Sequence, residues 1–186
     1  MKKISAVVLS TIALTITACS TNKPAPPPPP TPEATPWAQA HMAELTAIAL
    51  EEHYEIHNTG ERIRLIIPVK NNFHPKRTLL LPSGLVPLSR IAKVLRTATD
   101  SNIAVVGFSD DVGADDINQQ LSLERAEAVA SVLQLGGVRR HNMQLKSLGE
   151  DNPRADNNTE EGRDLNRRVE IEITPRQPVS SLALAP

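Results

Sequence analysis

Residues 107–126 contain an acidic and a basic side chain that could together bind a charged ligand. Asp110 directly follows an apolar stretch, and Asn118 and Arg125 come next in a segment with helical periodicity. Because Asn118 and Arg125 are seven residues apart, they share one face of a helix, about two turns from each other. A fixed carboxylate and a fixed guanidinium can bind a zwitterion, since each pairs with the opposite charge. Asp110 and Arg125 could instead form an internal salt bridge that only braces the loop.

Signals of catalysis or metal binding are weak in this sequence. It contains no GxSxG, HExxH, Walker or GxGxxG motif, and its five histidines lack the spacing of metal ligands. Asp110 and Asp111 are adjacent, so on a strand they would point to opposite sides and make a poor acid–base pair. We therefore predict no catalytic residue, no metal and no cofactor.

Composition limits the classes of ligand and of core. The 186 residues have a net charge of −1, which argues against general nucleic-acid binding because that needs a strong basic surplus. Aromatic residues make up only 2% of the chain, so the core must be built from Leu, Ile, Val and Ala. The single cysteine excludes an intrachain disulfide.

Hydrophobic periodicity predicts an α/β fold with polar segments at strand ends, where ligands of such sheets often bind. The predicted elements, in chain order, are a helix from Trp37 to about Glu52, strands over 54–57 and 62–69, a helix beginning near Pro82, a strand over 102–107, a helix over 114–135, a strand over 143–148, a polar loop over 149–166 and a strand over 168–173. The order β-α-β-α-β-loop-β predicts a single sandwich, a mixed sheet with helices on one face.

The N-terminal residues have the pattern of an export signal. Two lysines precede an apolar run over residues 4–16, which is too short for a transmembrane helix. The sequence of residues 16–19, Ile-Thr-Ala-Cys, resembles the bacterial lipobox, in which the cysteine is acylated and the preceding peptide is removed. This resemblance implies a lipid anchor on Cys19, and Ser20 in place of Asp implies outer-membrane sorting. An ordinary signal peptide with an incidental cysteine is the alternative.

A proline-rich segment and a helix follow this signal. Residues 20–36 should form extended polyproline II at about 3.1 Å per residue, a reach on the order of 50 Å. A stiff spacer would hold the rest of the protein away from the membrane, whereas a disordered linker would have no length requirement. The helix over residues 37–53 either packs on the domain or binds a partner protein or a second copy.

The two polar segments together resemble the OmpA-like peptidoglycan-binding family, which includes the peptidoglycan-associated lipoproteins. The family pattern is close to GHTDxxG, then Asn, Leu-Ser and Arg-Ala, then GxxxPxxxNxTxxGRxxNRRVE. The matching residues are Gly107, Asp110, Gly113, Asn118, Leu121, Ser122, Arg125, Ala126, Gly149, Pro153, Asn158, Thr159, Gly162, Arg163 and residues 166–170. The resemblance covers roughly residues 60–174.

The resemblance implies a ligand and a site. In this family the aspartate and the helix arginine hold diaminopimelate, the zwitterionic residue of the peptidoglycan stem peptide. By analogy, Asp110 would accept hydrogen bonds from its ammonium group, and Arg125 would pair with its carboxylate. Asn118 and Arg168 would complete the polar wall.

Two positions depart from the family pattern, and two arginines have a less direct role. Phe108 replaces the usual His and could still stack on a ligand, while Ser109 replaces Thr and keeps a hydroxyl for a capping or ligand hydrogen bond. Arg163 and Arg167 are expected to be structural, bonding loop carbonyls or Glu150.

These expectations predict an outer-membrane lipoprotein, facing the periplasm, that binds peptidoglycan non-covalently and tethers the membrane to the wall. The alternative is a wall-anchored accessory or regulatory subunit of a secretion, pilus, motility or signalling complex, with the N-terminal helix as its partner-binding element. The predicted parts are a signal peptide 1–18, a linker 19–36, a helix 37–53, an OmpA-like domain 54–175 and a loose tail 176–186.

Overall fold

Alternation of apolar and charged side chains along the last strand gives the sheet two unlike faces. Val169, Ile171 and Ile173 are fully buried in the core with the helices, and the glutamates between them belong to the opposite face. A computed structural model describes this arrangement for residues 36–75 and 77–176.

The described residues form four α-helices and five strands. The helices are α1 (Pro36–Glu51), α2 (Pro82–Leu95), α3 (Asp115–Leu135) and α4 (Glu160–Asn166); the strands are β1 (Glu55–Asn58), β2 (Ile63–Pro68), β3 (Ser101–Gly107), β4 (Met143–Ser147) and β5 (Arg168–Pro175); a short 3-10 turn covers Arg140–Asn142. Among these residues, no helix has both the length and the hydropathy needed to span a bilayer.

The five strands form one mixed sheet in the order β1-β2-β5-β3-β4. Neighbouring strands are antiparallel except for β3 and β4, which are parallel and are joined by a crossover through α3. The predicted apolar stripes of α2 and α3, which begin at Leu88 and Ala126, are buried in the core. The predicted α/β class with a mixed sheet is therefore confirmed.

Helix α1 packs on the same core. Leu45, Ile48 and Ala49 are buried there, as the helical spacing predicts. The Trp37 Nε1 donates a hydrogen bond to the Ser101 Oγ at 3.0 Å, which fixes the start of the helix beside the start of β3. Of the two interpretations of this segment, the structure shows a helix packed on the domain. Leu45, Ile48 and Ala49 therefore belong to the domain core.

Both ends of the described chain lie at one end of the sheet. Ser101, which bonds α1, pairs with Pro175 at the end of β5. The backbone N of Arg176 donates to the Asp100 carbonyl at 2.6 Å, so the first residue of the predicted loose tail is bonded to the domain. The predicted signal peptide, Cys19, the tether before Pro36 and the tail beyond Arg176 lie outside the described residues.

The predicted loop over 149–166 is wrong at its C-terminal end, which forms helix α4. Thr159 is its N-cap, and the Thr159 Oγ1 accepts a hydrogen bond from the Gly162 backbone N at 3.0 Å. Glu160 and Glu161 in the first turn complement the helix dipole. At seven residues, α4 is too short and too charged to show hydrophobic periodicity.

Candidate ligand-binding site

A cavity of about 910 Å³ opens at the end of the sheet opposite to the chain ends. Its walls come from the segment after β2 (69–75), from the residues that follow β3, from one face of α3 and from α4 with Arg167. The predicted residues Asp110 and Arg125 both line it. The strand-end location therefore agrees with the general rule for α/β sheets.

Close contact between α3 and β3 brings these two residues to one cavity. A Cβ atom at Gly107 would overlap the carbonyl oxygen of Ser122, so only glycine allows this approach. The Ser122 Oγ also accepts a hydrogen bond from the Gly149 backbone N at 3.1 Å. Because Arg125 lies one turn beyond Ser122, it is held near the end of β3, where Asp110 follows.

Asp110 is buried and ion-paired, but its partner is not Arg125. The Arg167 Nη1 donates to the Asp110 Oδ2 at 2.5 Å. In the part of the chain that the structure describes, no salt bridge joins Asp110 to Arg125. The alternative in which these two residues only brace each other is therefore wrong.

Arg167 bonds three carboxylates at the cavity mouth. Its guanidinium donates to Asp110, to the Glu160 Oε1 at 2.7 Å and to Asp164. Burial lowers the pKa of Arg167, but the hydrogen bonds to Glu160, Asp110 and Asp164 outweigh burial and raise the pKa above its ordinary value. The Lys70 Nζ donates to the other oxygen of Asp164 at 2.5 Å. This network holds the carboxylates in fixed positions before any ligand arrives.

Arg125 lines the same cavity but takes no part in this network of ion pairs. Its side chain is only 3% exposed, and its Nε and Nη1 atoms have no hydrogen-bond partner among the described residues. Burial lowers the pKa of Arg125 to about 10, with Asp110 acting against that shift, so the group remains a cation at neutral pH. A buried cation with unpaired donors is costly, and the cost is removed when an anion binds.

The charges that line the cavity do not balance. Three carboxylates face four cations, and each cation other than Arg125 has a carboxylate partner among the described residues. The carboxylates are Asp110, Glu160 and Asp164, and the cations are Lys70, Arg125, Arg163 and Arg167. The surplus charge is therefore positive, and it lies on Arg125.

The rim of the cavity is apolar. Val112 and Ile117 are 63% and 61% exposed, and both line the opening with Leu121 and Pro75. Exposed apolar side chains beside a charged floor suit a ligand with a methylene chain between or beside its charges. No group of three or more His, Cys, Asp and Glu side chains within residues 36–75 and 77–176 is placed to hold a metal ion.

Asn118 has a different position from the one predicted. It is buried and does not line the cavity, and the Asn118 Nδ2 donates to the Glu150 Oε2 at 2.8 Å. Asn118 and Arg125 do lie on one face of α3, but the segment after β4 covers that face at Asn118. Asn118 therefore joins α3 to that segment and is not among the residues that line the cavity.

Arg168 also lies outside the cavity, because neighbouring residues of a strand point to opposite faces. The Arg168 Nε donates to the Glu170 Oε1 at 2.7 Å, and the Arg168 Cζ lies 3.6 Å from the centre of the Phe108 ring. Arg167, for which the sequence predicts a structural role, is the arginine of this pair that lines the cavity. The signal for this was present, since Arg167 has the same parity as the buried Val169.

The next three residues lie in different surroundings. Phe108 stacks on Arg168 at the helix-free face and does not line the cavity between α3 and α4. Ser109 is buried, and its hydroxyl has no partner within the described residues. The Arg163 Nη1 donates to the Asn157 carbonyl at 2.8 Å, which confirms that it bonds a loop carbonyl.

Asn166 holds the segment before α4 in place. Its Oδ1 accepts from the backbone N of Arg154 at 2.7 Å and of Ala155 at 3.1 Å. Its Nδ2 donates to the Ala155 carbonyl at 2.9 Å and to the Asn157 Oδ1 at 2.7 Å. All hydrogen-bonding atoms of this buried amide are therefore used, and they fix the direction in which α4 leads into Arg167.

Comparisons with known sequences identify relatives of this chain. Residues 72–167 match the profile of the OmpA family. The outer-membrane lipoprotein YfiB of Pseudomonas aeruginosa is 33% identical over 135 residues, which is 73% of this chain and 79% of YfiB. The peptidoglycan-binding protein ArfA of Mycobacterium tuberculosis is 39% identical over 94 residues, which is 50% of this chain and 29% of ArfA.

A solved structure has the same fold. The cell wall anchor of the T6SS from Pseudomonas aeruginosa superposes with a TM-score of 0.65 at 25% identity, covering 72% of this chain and 96% of that protein. The chain spans about half the length of other curated relatives that it matches. On the profile match and the relationship to YfiB, this chain belongs to the OmpA family.

Proposed function

We propose that this protein binds peptidoglycan non-covalently through the cavity between α3 and α4, without chemically changing it. The observation that best supports this is Arg125, a buried cation with two unpaired donors beside the carboxylate of Asp110. Diaminopimelate, whose free end in the stem peptide has an ammonium group beside a carboxylate, has the complementary charges. Binding it would pair the surplus charge of the cavity and add no unpaired charge.

Each part of the ligand has a matching part of the cavity. The Arg125 Nε and Nη1 are adjacent donors of one planar fork, which suits both oxygens of a carboxylate. Asp110 accepts from the ammonium group, while Arg167 keeps its bonds to Glu160 and Asp164. The methylene chain of diaminopimelate lies against the apolar rim at Val112.

The wider role that we propose is a lipoprotein that tethers the outer membrane to the wall from the periplasmic side. The name of ArfA states peptidoglycan binding, that of YfiB states an outer-membrane lipoprotein, and that of the T6SS protein states a cell wall anchor. Many weak and reversible contacts of this kind add up to a firm attachment, because multiplicity replaces affinity.

Sedimentation with purified wall sacculi tests the ligand. Full-length protein should sediment with walls that contain diaminopimelate, and free diaminopimelate should compete. Walls with lysine at that position lack the second carboxylate, so Arg125 would stay unpaired, and binding should be at least about tenfold weaker. Equal binding to the two kinds of wall would show that the carboxylate is not read by this site.

The Asp110→Asn variant tests the acidic half of the site. It keeps the shape and one acceptor oxygen but loses the charge, so wall binding should weaken by about tenfold. Arg167 retains two carboxylates, so the melting temperature should fall by only a few degrees. The control is Asp111→Asn, which makes the same charge change at the exposed neighbouring residue and should leave sedimentation unchanged. If the two variants weakened wall binding equally, Asp110 would act only through the net charge of the protein.

Cys19→Ser tests the proposed lipid anchor. Acylation would hold the protein by burying methylene groups, at about 0.8 kcal/mol for each one. Intact mass of the membrane-extracted wild type should correspond to a chain that begins at acylated Cys19. The variant should leave the membrane fraction and still sediment with walls. A wild type that begins elsewhere or lacks acyl groups would rule out this anchor.

A further inference from the structure

Tyr54 connects the end of α1 to the wall of the cavity. It lies between α1 and β1, is 6% exposed, and its backbone N donates to the Ala49 carbonyl of α1 at 2.8 Å. The Tyr54 hydroxyl donates to the Asn72 Oδ1 at 2.6 Å. Burial, with the charge of Glu52, raises the pKa of Tyr54, so the hydroxyl stays protonated and remains a donor.

Asn72 is the centre of the turn that forms this wall. The Asn72 Nδ2 donates to the Pro68 carbonyl at 3.0 Å, and the Asn72 carbonyl accepts from the Leu81 backbone N at 2.9 Å. Its two neighbours, Asn71 and Phe73, line the cavity. Through these bonds, Asn72 joins the turn to the end of β2 and to the start of α2.

The turn is supported from two sides. Asn71 has a φ of 67°, in the left-handed region that asparagine adopts more readily than most residues other than glycine. Helix α2 supports one side, since the Ser83 Oγ donates to the Asn71 carbonyl at 2.5 Å and a Cβ atom at Gly84 would lie 2.6 Å from the Asn72 carbonyl oxygen. Tyr54 supports the Asn72 side chain from the direction of α1.

We infer that Tyr54 and Asn72 are positioning residues for the ligand, so that the junction of α1 and β1 sets the affinity of the cavity for the wall. The inference rests on the proposed function, because it concerns affinity for the same ligand. Without the Tyr54 hydroxyl, the buried Asn72 Oδ1 has no partner, and the wall over 69–75 loses its support from the side of α1. A more mobile wall loses more conformational entropy when the ligand binds, so the affinity for the ligand falls.

Two variants of full-length protein separate positioning from general stability. Tyr54→Phe removes one hydrogen bond at the cavity end of α1. Trp37→Phe removes one at the other end, the bond to the Ser101 Oγ. We expect both to lower the melting temperature by a few degrees. Tyr54→Phe should weaken sedimentation with diaminopimelate-containing walls by five- to tenfold, and Trp37→Phe should change it by less than twofold.

Hydrogen exchange locates the effect. In Tyr54→Phe, amides over residues 69–74 should exchange faster than in the wild type, while those of β3 and β5 should be unchanged. If the two variants weaken binding equally, or if Tyr54→Phe binds like the wild type, the positioning role is overturned.

Arg125→Gln, measured beside these variants, distinguishes a failure of the proposed function from a failure of the positioning role. If Arg125→Gln sediments like the wild type, the proposed function fails. If Arg125→Gln loses binding and Tyr54→Phe retains it, only the positioning role fails.

Discussion

Replacing Arg125 with methionine is expected to abolish wall binding and to raise the stability of the folded protein. The guanidinium is buried with two unpaired donors, and it is the surplus charge of the cavity. Methionine fills a similar volume without a charge, so the variant should gain about 1–3 kcal/mol of unfolding free energy. The ligand carboxylate would then be buried without a partner, and affinity should fall on the order of 100-fold.

The opposite signs of the two effects make this variant informative. A misfolded variant loses binding and stability together, whereas Arg125→Met should lose binding while its melting temperature rises. Arg62→Met is the matched control, since this arginine is 47% exposed and is paired with Glu172 on the helix-free face. It should bind walls like the wild type. Normal sedimentation of Arg125→Met, or loss of binding with a lower melting temperature, would contradict the proposed role of Arg125.

Gly107→Ala is expected to destabilise the folded protein strongly. The added Cβ would overlap the Ser122 carbonyl oxygen, so α3 must move away from β3. Overpacking of this kind costs on the order of 3 kcal/mol, which corresponds to a fall of roughly 10 °C in melting temperature. Because α3 also places Arg125, wall binding should weaken by at least about tenfold.

Thermal unfolding followed by circular dichroism measures the first effect, and wall sedimentation below the melting temperature measures the second. Ala104→Ser is the control, because Ala104 lies in the same strand beside Glu172, on the side away from the helices. It should shift the melting temperature by only a few degrees. Gly107→Ala with an unchanged melting temperature would show that α3 does not need this close approach.

Long periodic elements could be predicted from the sequence, because their apolar residues must face one core. The apolar stripes of α1, α2 and α3 pack in the core, and so do the alternate apolar residues of β5. Short charged elements could not be predicted in this way. Helix α4 has no apolar period, and it is specified by the Thr159 cap and by contacts with residues distant in sequence.

The site was predicted in part for a related reason. Asp110 and Arg125 are placed by two regular elements, β3 and α3, so their meeting follows from the topology. Strand parity decides which of Arg167 and Arg168 enters the cavity. A motif pattern alone does not specify the face to which each arginine points. The cover over Asn118 comes from Glu150, whose position depends on a loop conformation that the sequence pattern does not specify.

The direction of α1 has a mechanical consequence. Its 16 residues rise about 24 Å, from Trp37 beside Ser101 at one end of the sheet to the junction near Asn72 at the cavity end. In a protein tethered before Trp37 and held at the cavity, tension would run along the helix axis. The buried contacts of α1 would then be sheared together and not peeled apart one by one. Since forced unfolding depends on the unfolding rate, this loading geometry favours an attachment whose ligand detaches before the domain unfolds.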